Sequence, residues 1–288
     1  NSLPAAVLGD LASTGLAQLG LNWEASPALT ELEEVTTDWL RQMVGLGDRW
    51  RGVIQDTAST ATFVALVCAR ERATDYGATR TGLQGATTEL VVYVSSQSHS
   101  SVAKAALLAG FGRLQLRVVP VDEHYAMSPA ALEQMLVADR AAGRQPCAIV
   151  ATCGTTATTA LDPIDSLAQL AAKYQCWLHV DAALAGSAMV VPECRKLWEG
   201  IEAADSLVVN PHQWLGVAFD CSTYYVRDVE HLVRVMSSNP SYLQTTADGT
   251  EPNYRDWGVP PGRRMFSLKL AIVLRQRRAA GLQTRAPR

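Results

Sequence analysis

The strongest constraint in this sequence is an alternation that runs from Glu89 to Asn210. The apolar run "ELVVYVS" (89–95) is followed by the helix-like "SVAKAALLAGFG", "LQLRVVPV" by "SPAALEQMLVADRAAG", and "PCAIVATCG" by "DPIDSLAQLAAKYQ". Two more strand-like runs, "CWLHVDAA" and "DSLVVN", come next. These runs are continuous in Val, Ile and Leu, as strands are when helices cover both of their faces. Parallel neighbours need a long crossover, and the helical runs supply it. The pattern predicts an α/β fold on a mostly parallel sheet flanked by helices.

The rest of the chain is punctuated more locally. Ser26-Pro27 opens "SPALTELEEVTTDWLRQMVGLG". Ser suits an N-cap, Pro the first helical position, and the early acidic residues the positive end of the helix dipole. Gly45 and Gly47 close that helix. "GVIQDTASTATFVALVCARERATDYG" reads as a short strand, a small polar turn and a long helix. From Ser237 to Pro261 the pattern loosens into a long loop, and the closing "RQRRAAGLQTRAPR" is basic with no packing pattern. There is no internal repeat or low-complexity tract. At 288 residues and 48% hydrophobic content, the chain can bury a full core in one large domain or two modest ones.

Charge and cysteine usage narrow the partners. A formal net charge of -3 gives no global reason to bind nucleic acid or an acidic membrane. No apolar run reaches the roughly 18 residues of a membrane span. The six cysteines form no CxxC and no zinc spacing, and most sit in apolar runs, where a thiol behaves as a small hydrophobe. This predicts a reducing, cytoplasmic setting. The opening "NSLPAAVLGDLA" carries neither an initiator Met nor a signal pattern, and reads as the start of a trimmed or incomplete chain.

In open α/β sheets, ligands sit at the carboxyl ends of strands. At the first such end, Asp56 to Thr60 lead into a helix. The turn suits an anion such as phosphate, or is a plain N-cap; it has no P-loop or dinucleotide glycines. His99 follows another strand end, where a lone histidine is more often structural or exposed than catalytic. Thr155, Thr156, Thr158 and Thr159 follow a third, placed either to bond a ligand or to cap a turn. Asp181 ends a strand of apolar neighbours, so its carboxylate needs a positive partner. His179 shares its strand face, which allows a metal pair, but no third ligand follows at useful spacing. A protonated heterocycle is the other partner such a carboxylate accepts. Asn210 and His212 close the series at the next strand end.

In this order and separation, "DTAST", "HSS", "GTT", "HVDAALAGSA" and "NPHQWLGVAFDCS", together with "NSLPAAVLGDLA", "NWEASPALTELE" and "GRRMFSLKL", resemble the pyridoxal-phosphate-dependent group II decarboxylases. The likeness is closest to the aromatic-L-amino-acid decarboxylases and covers nearly the whole chain. It implies a fold-type I large domain with pyridoxal 5'-phosphate as cofactor. By the resemblance, Thr57, Ala58 and Ser59 form the phosphate cup, closed by Asn210 and His212. His99 and Ala183 flank the cofactor ring, Thr156 neighbours it, and Asp181 binds the pyridine nitrogen. Tyr242 matches a loop tyrosine that returns a proton after CO2 leaves. The implied reaction converts an aromatic L-amino acid to amine and CO2, with a homodimer as the full-length form.

Two departures qualify that expectation. Gln213 stands at the position of the family's Schiff-base lysine, and an amide is not a nucleophile. Lys173, Lys196 and Lys269 fall in helical or connecting segments rather than at a strand end. Turnover is therefore expected to be impaired. The alternative is a non-catalytic pseudoenzyme or partner subunit that keeps the cofactor fold; an engineered replacement and a sequence error also account for the glutamine. The second departure is length. Residues 1–45 read as a helical lead-in and 46–288 as the cofactor domain, without the family's N-terminal helices or small C-terminal domain.

Overall fold

The structure, a computed structural model, describes residues 2–86, 88–238 and 248–283. In chain order the helices and strands are α1 (Pro4–Leu16), α2 (Pro27–Met43), β1 (Arg51–Gln55), α3 (Ala58–Ala73), α4 (Gly77–Thr81), β2 (Leu90–Ser95), α5 (Ser100–Leu108), β3 (Leu116–Val119), α6 (Pro129–Ala141), β4 (Gln145–Thr152), α7 (Ile164–Tyr174), β5 (Trp177–Ala182), β6 (Ser206–Val209), α8 (Pro211–Trp214), β7 (Ser222–Val226), α9 (Val229–Met236) and α10 (Phe266–Gln283). They form two compact units, one of Asn1–Ala61, Gly186–Arg195 and Val209–Arg288, the other of Thr62–Ala185 and Lys196–Val208.

The second unit carries the alternation read from the sequence. Its strands lie in the order β6-β5-β4-β2-β3. The β2–β3, β2–β4 and β4–β5 pairs are parallel, as crossover helices require. Every residue of β2, β5 and β6 is buried, whereas β3, at the end of the order, is half-exposed. Helix α7 buries Ile164, Leu167, Ala168, Ala171 and Tyr174, one stripe at helical spacing. Helix α6 starts where Ser128 caps the Ala131 N–H and Pro129 fixes the first turn. Register places Thr152 of β4 beside Asp181 of β5, so both strands end together.

The first unit supplies the antiparallel part that a mostly parallel sheet allows. Strand β7, "STYYV", is fully buried and runs antiparallel to β1, with Arg51 opposite Val226 and Gln55 opposite Ser222. The sequence reading has no strand there, because the run follows directly on the Asn210–Cys221 turn. Helix α1 packs on α10, and α10 on α2. The α1–α10 approach depends on Gly9, where a Cβ would lie 2.8 Å from the Lys269 Cα.

Two local expectations are corrected here. Ser26 does not cap α2: its hydroxyl donates to the Leu19 carbonyl at 2.9 Å, and no acidic residue lies in the first turn. The carboxylates come one turn too late for the dipole, and Glu33 turns inward instead. The basic tail also packs further than predicted. Helix α10 continues past a kink at Arg278, buries Leu282, and ties Gln283 to the Val190 carbonyl at 3.0 Å.

Candidate functional site

In the second unit, Asp181 is buried at the end of β5, with 5% of its surface exposed. Burial pushes its carboxyl above the usual range, while the Ala183 N–H, donating to Oδ1 at 3.1 Å, and the nearby His99 act in the opposite direction. His99 precedes α5 as its N-cap, and its Nδ1 accepts from the Ser101 N–H at 3.2 Å. That contact leaves the ring proton on Nε2, and the ring is exposed. The structure thus brings Asp181, Ala183 and His99 within one another's influence.

The four threonines divide. Thr155 Oγ1 lies 2.6 Å from Thr158 Oγ1 and accepts from the Ala160 N–H at 3.0 Å, so this pair caps its own turn. The Thr159 hydroxyl bonds the Thr158 carbonyl, and Thr156 is exposed. Asp162 holds this loop from behind. Its carboxylate accepts from Thr152 N–H and Met127 N–H, each at 2.7 Å, and burial pushes it up to about 6. His179 is fully occupied by the fold: Nδ1 is 2.9 Å from Ser206 Oγ and Nε2 is 3.3 Å from Thr62 Oγ1. Burial drives its pKa down to about 3. Among the described residues, no group of three or more His, Cys, Asp or Glu is placed to hold a metal ion.

In the first unit, Thr57 stands just beyond β1, and its N–H donates to Asp56 Oδ1 at 2.7 Å. The expected N-cap bond is long, with Thr60 N 3.5 Å from Thr57 Oγ1. The Ala58 and Ser59 N–H groups precede the first helical hydrogen bond, from Ala61 to Thr57. Because Gln55 pairs with Ser222, this end of β1 meets the start of β7. There the Ser222 hydroxyl donates to Asn210 Oδ1 at 2.7 Å, and Asn210 is buried. Thr57 to Ser59 and Asn210, the residues expected to form the cup, therefore belong to the same end of this strand pair.

His212 is fixed by the other end of its own turn. Its Nδ1 lies 2.6 Å from the Cys221 carbonyl and 3.1 Å from the Cys221 N–H. The two contacts need opposite proton placements. The shorter one requires a proton on Nδ1, since two acceptors would repel at that distance. The Phe219 ring packs edge-on at 4.9 Å. Burial lowers the His212 pKa, the Cys221 hydrogen bond and Asp220 raise it, and Lys269 lowers it. Beside it, Gln213 Oε1 is buried with no hydrogen-bond partner among the described residues. Tyr242 lies outside the described residues.

Sequence reasoning passed over Ser222 and Asp162, and weighed Lys269 only as a stand-in for the Schiff-base lysine. The last had a visible signal, a single cation inside the apolar run "FSLKLAIVL". Chemically, the second unit offers a buried carboxylate suited to a cationic nitrogen, and the first offers backbone N–H groups and an imidazole suited to an anion.

A family model, "Pyridoxal-dependent decarboxylase conserved domain", matches residues 1–287. An aromatic-L-amino-acid decarboxylase of Drosophila lebanonensis is 43% identical over 286 residues, covering 96% of this chain and 70% of that protein. A phenylacetaldehyde synthase of Arabidopsis thaliana is 40% identical, covering 96% of this chain and 57% of its own length. A crystal structure of Oryza sativa TDC with PLP and tryptamine superimposes with a TM-score of 0.93 at 39% identity, covering 99% of this chain and 60% of that one. The chain thus spans between about half and about two thirds of the length of these relatives. A match of this extent and identity identifies the chain as a member of the pyridoxal-dependent decarboxylase family.

Proposed function

We propose that this chain is the cofactor-holding part of a pyridoxal-phosphate-dependent decarboxylase for aromatic L-amino acids, with turnover reduced by Gln213. The observation that carries the reading is Asp181: a strand-end carboxylate, buried and pushed upward by desolvation, is in the state that a cationic ligand nitrogen relieves. In this reading Asp181 keeps a proton on the pyridine nitrogen. His99 and Ala183 flank the ring, and Thr156 lies beside it. The Ala58 and Ser59 N–H groups, with Thr57, Asn210 and His212, hold the phosphate. Bound pyridoxal phosphate supplies an electron sink for the charge left when CO2 departs. Tyr242 is assigned the return of a proton to the former α-carbon. The Gln213 amide lacks a basic lone pair and cannot replace an amine.

Residues 46–288 are proposed as the cofactor domain and 1–45 as its helical lead-in. A homodimer is supported by the outer stripe of α1, where Val7, Leu8, Leu11 and Leu16 are 53%, 64%, 68% and 55% exposed. A cytoplasmic setting is supported by six free cysteines, five of them buried. A second reading, a non-catalytic partner subunit, is favoured by Gln213 itself; activity that appears only on mixing with a lysine-bearing relative supports it.

The test is a visible-absorbance titration with pyridoxal phosphate, run on this chain and on Gln213→Lys. The expected result is saturable binding by both, with a borohydride-sensitive band and aromatic amino-acid decarboxylation in Gln213→Lys. Absence of cofactor binding by both proteins overturns the reading.

A further inference from the structure

Lys269 is almost wholly buried, with 1% of its side chain exposed, yet it lies near the start of a helix whose other buried residues are all uncharged. Its Nζ stands 3.1 Å from Asp10 Oδ1 and 3.5 Å from Asp220 Oδ1. Arg264 reaches the same two carboxylates at 3.3 and 4.0 Å. Two cations and two anions thus join α1, α10 and the turn that ends at Cys221. An ammonium out of water is costly unless fixed partners surround it, and such groups serve register better than stability.

The cluster sits one residue from the group that fixes His212. Asp220 precedes Cys221, whose carbonyl accepts from His212 Nδ1 at 2.6 Å. The same turn is tied to α1 a second time, by the Leu3 N–H donating to the Gly216 carbonyl at 2.7 Å. Helix α1 therefore grips the 211–221 turn through a backbone bond near its middle and through Lys269 at its end. Gly9 permits the close approach that puts Asp10 beside Lys269.

We propose that Lys269 is a positioning residue: shared between Asp10 and Asp220, it fixes the 219–221 segment, and through the Cys221 carbonyl it fixes the His212 imidazole toward a phosphate-bearing ligand. The phosphate part of this inference rests on the function proposed above. The orientation of His212 does not. The charged groups around the imidazole are Asp220 and Lys269, with Asp10 and Arg264 behind them.

The experiment compares the chain with Lys269→Met, Lys269→Arg and Asp220→Asn. The His212 Nδ1–H proton resonance is recorded without ligand and assigned by its loss in His212→Gln. The Kd for pyridoxal phosphate and the melting temperature are measured alongside. The downfield, hydrogen-bonded resonance is expected to be lost in Lys269→Met and Asp220→Asn, with Kd raised at least tenfold. Lys269→Arg is expected to keep the resonance and stay within threefold. If Lys269→Met does not fold, Asp220→Asn decides, since its carboxylate is partly exposed. A folded Asp220→Asn or Lys269→Met that keeps the His212 resonance overturns the inference, whatever its melting temperature. If the parent chain binds no pyridoxal phosphate, the proposed function fails while the ligand-free resonance still decides the positioning.

Discussion

Glu33 and Arg263, 230 positions apart, close on the backbone of the same residue, Ile54. Glu33 Oε1 accepts from the Ile54 N–H at 2.8 Å, Arg263 Nη2 donates to the Ile54 carbonyl at 2.6 Å, and the two side chains meet at 2.7 and 3.2 Å. Strand β1 pairs with β7 along its other edge. An ion pair here stands in for a neighbouring strand, satisfying backbone groups that would otherwise be buried and unpaired. Arg263→Leu is expected to destabilise the fold by about 3–5 kcal/mol, because it strands a buried carboxylate. The Glu33→Leu/Arg263→Leu double variant should lose clearly less than the sum of the two singles in urea unfolding. Simple additivity would show that the pair is not coupled.

His179 gives the fold an acid-sensitive group. Its pKa falls from about 6.5 to about 3 because burial disfavours the imidazolium. A depressed folded value means that this stability is present above pH 6.5 and is lost as pH falls toward 3. Between pH 7 and 5 the loss from this one site is about 2 kcal/mol. His179→Gln, which can still meet the Thr62 and Ser206 hydroxyls, should flatten that part of the stability profile. An identical profile in the variant would remove His179 as its source.

Asp181→Asn separates cofactor affinity from folding. Asparagine keeps an acceptor for the Ala183 N–H but removes the buried charge. Unfolding stability should stay level or rise, since the desolvation cost disappears. Affinity for pyridoxal phosphate should fall at least tenfold, about 1.4 kcal/mol. Unchanged affinity in calorimetric titration would take Asp181 out of the binding set.

Thiol accessibility should be sharply uneven. Five of the six cysteines are buried, and Cys194 is only partly so. Burial pushes Cys153 and Cys221 up to about 12, far from the thiolate form that reacts. An aromatic disulfide reagent at neutral pH should label Cys194 first, and the others only on unfolding. Rapid native labelling of a second site would contradict that burial.

Gly9→Ala tests the α1–α10 approach. The added methyl would stand 2.8 Å from the Lys269 Cα and 3.2 Å from Ile272 Cδ1. The gain in helix propensity is outweighed by overpacking, typically about 1–3 kcal/mol. A lowered melting temperature checks this, and a raised one would mean that the helices can separate freely.

The parallel β2 to β5 core was legible because burial on both faces leaves a one-dimensional trace, an unbroken run of Val, Ile and Leu between helical segments. Asp181 was legible for the related reason that a lone carboxylate among apolar neighbours stands out along the chain. The Thr57, Asn210 and His212 positions are proposed from their order relative to those strands and from the family resemblance. Other features left no such trace. The antiparallel β1–β7 pair, the Glu33–Arg263 closure and the Asp10–Lys269–Asp220 cluster each join residues far apart in sequence, and no local period encodes them. Ser26 shows the converse, a favourable local N-cap overridden by a tertiary bond to the Leu19 carbonyl. Local patterning settles which segments become strands and helices, since backbone hydrogen bonding and side-chain periodicity are short-range. The partners of buried charges and of strand edges are decided only when the folded chain removes water from them.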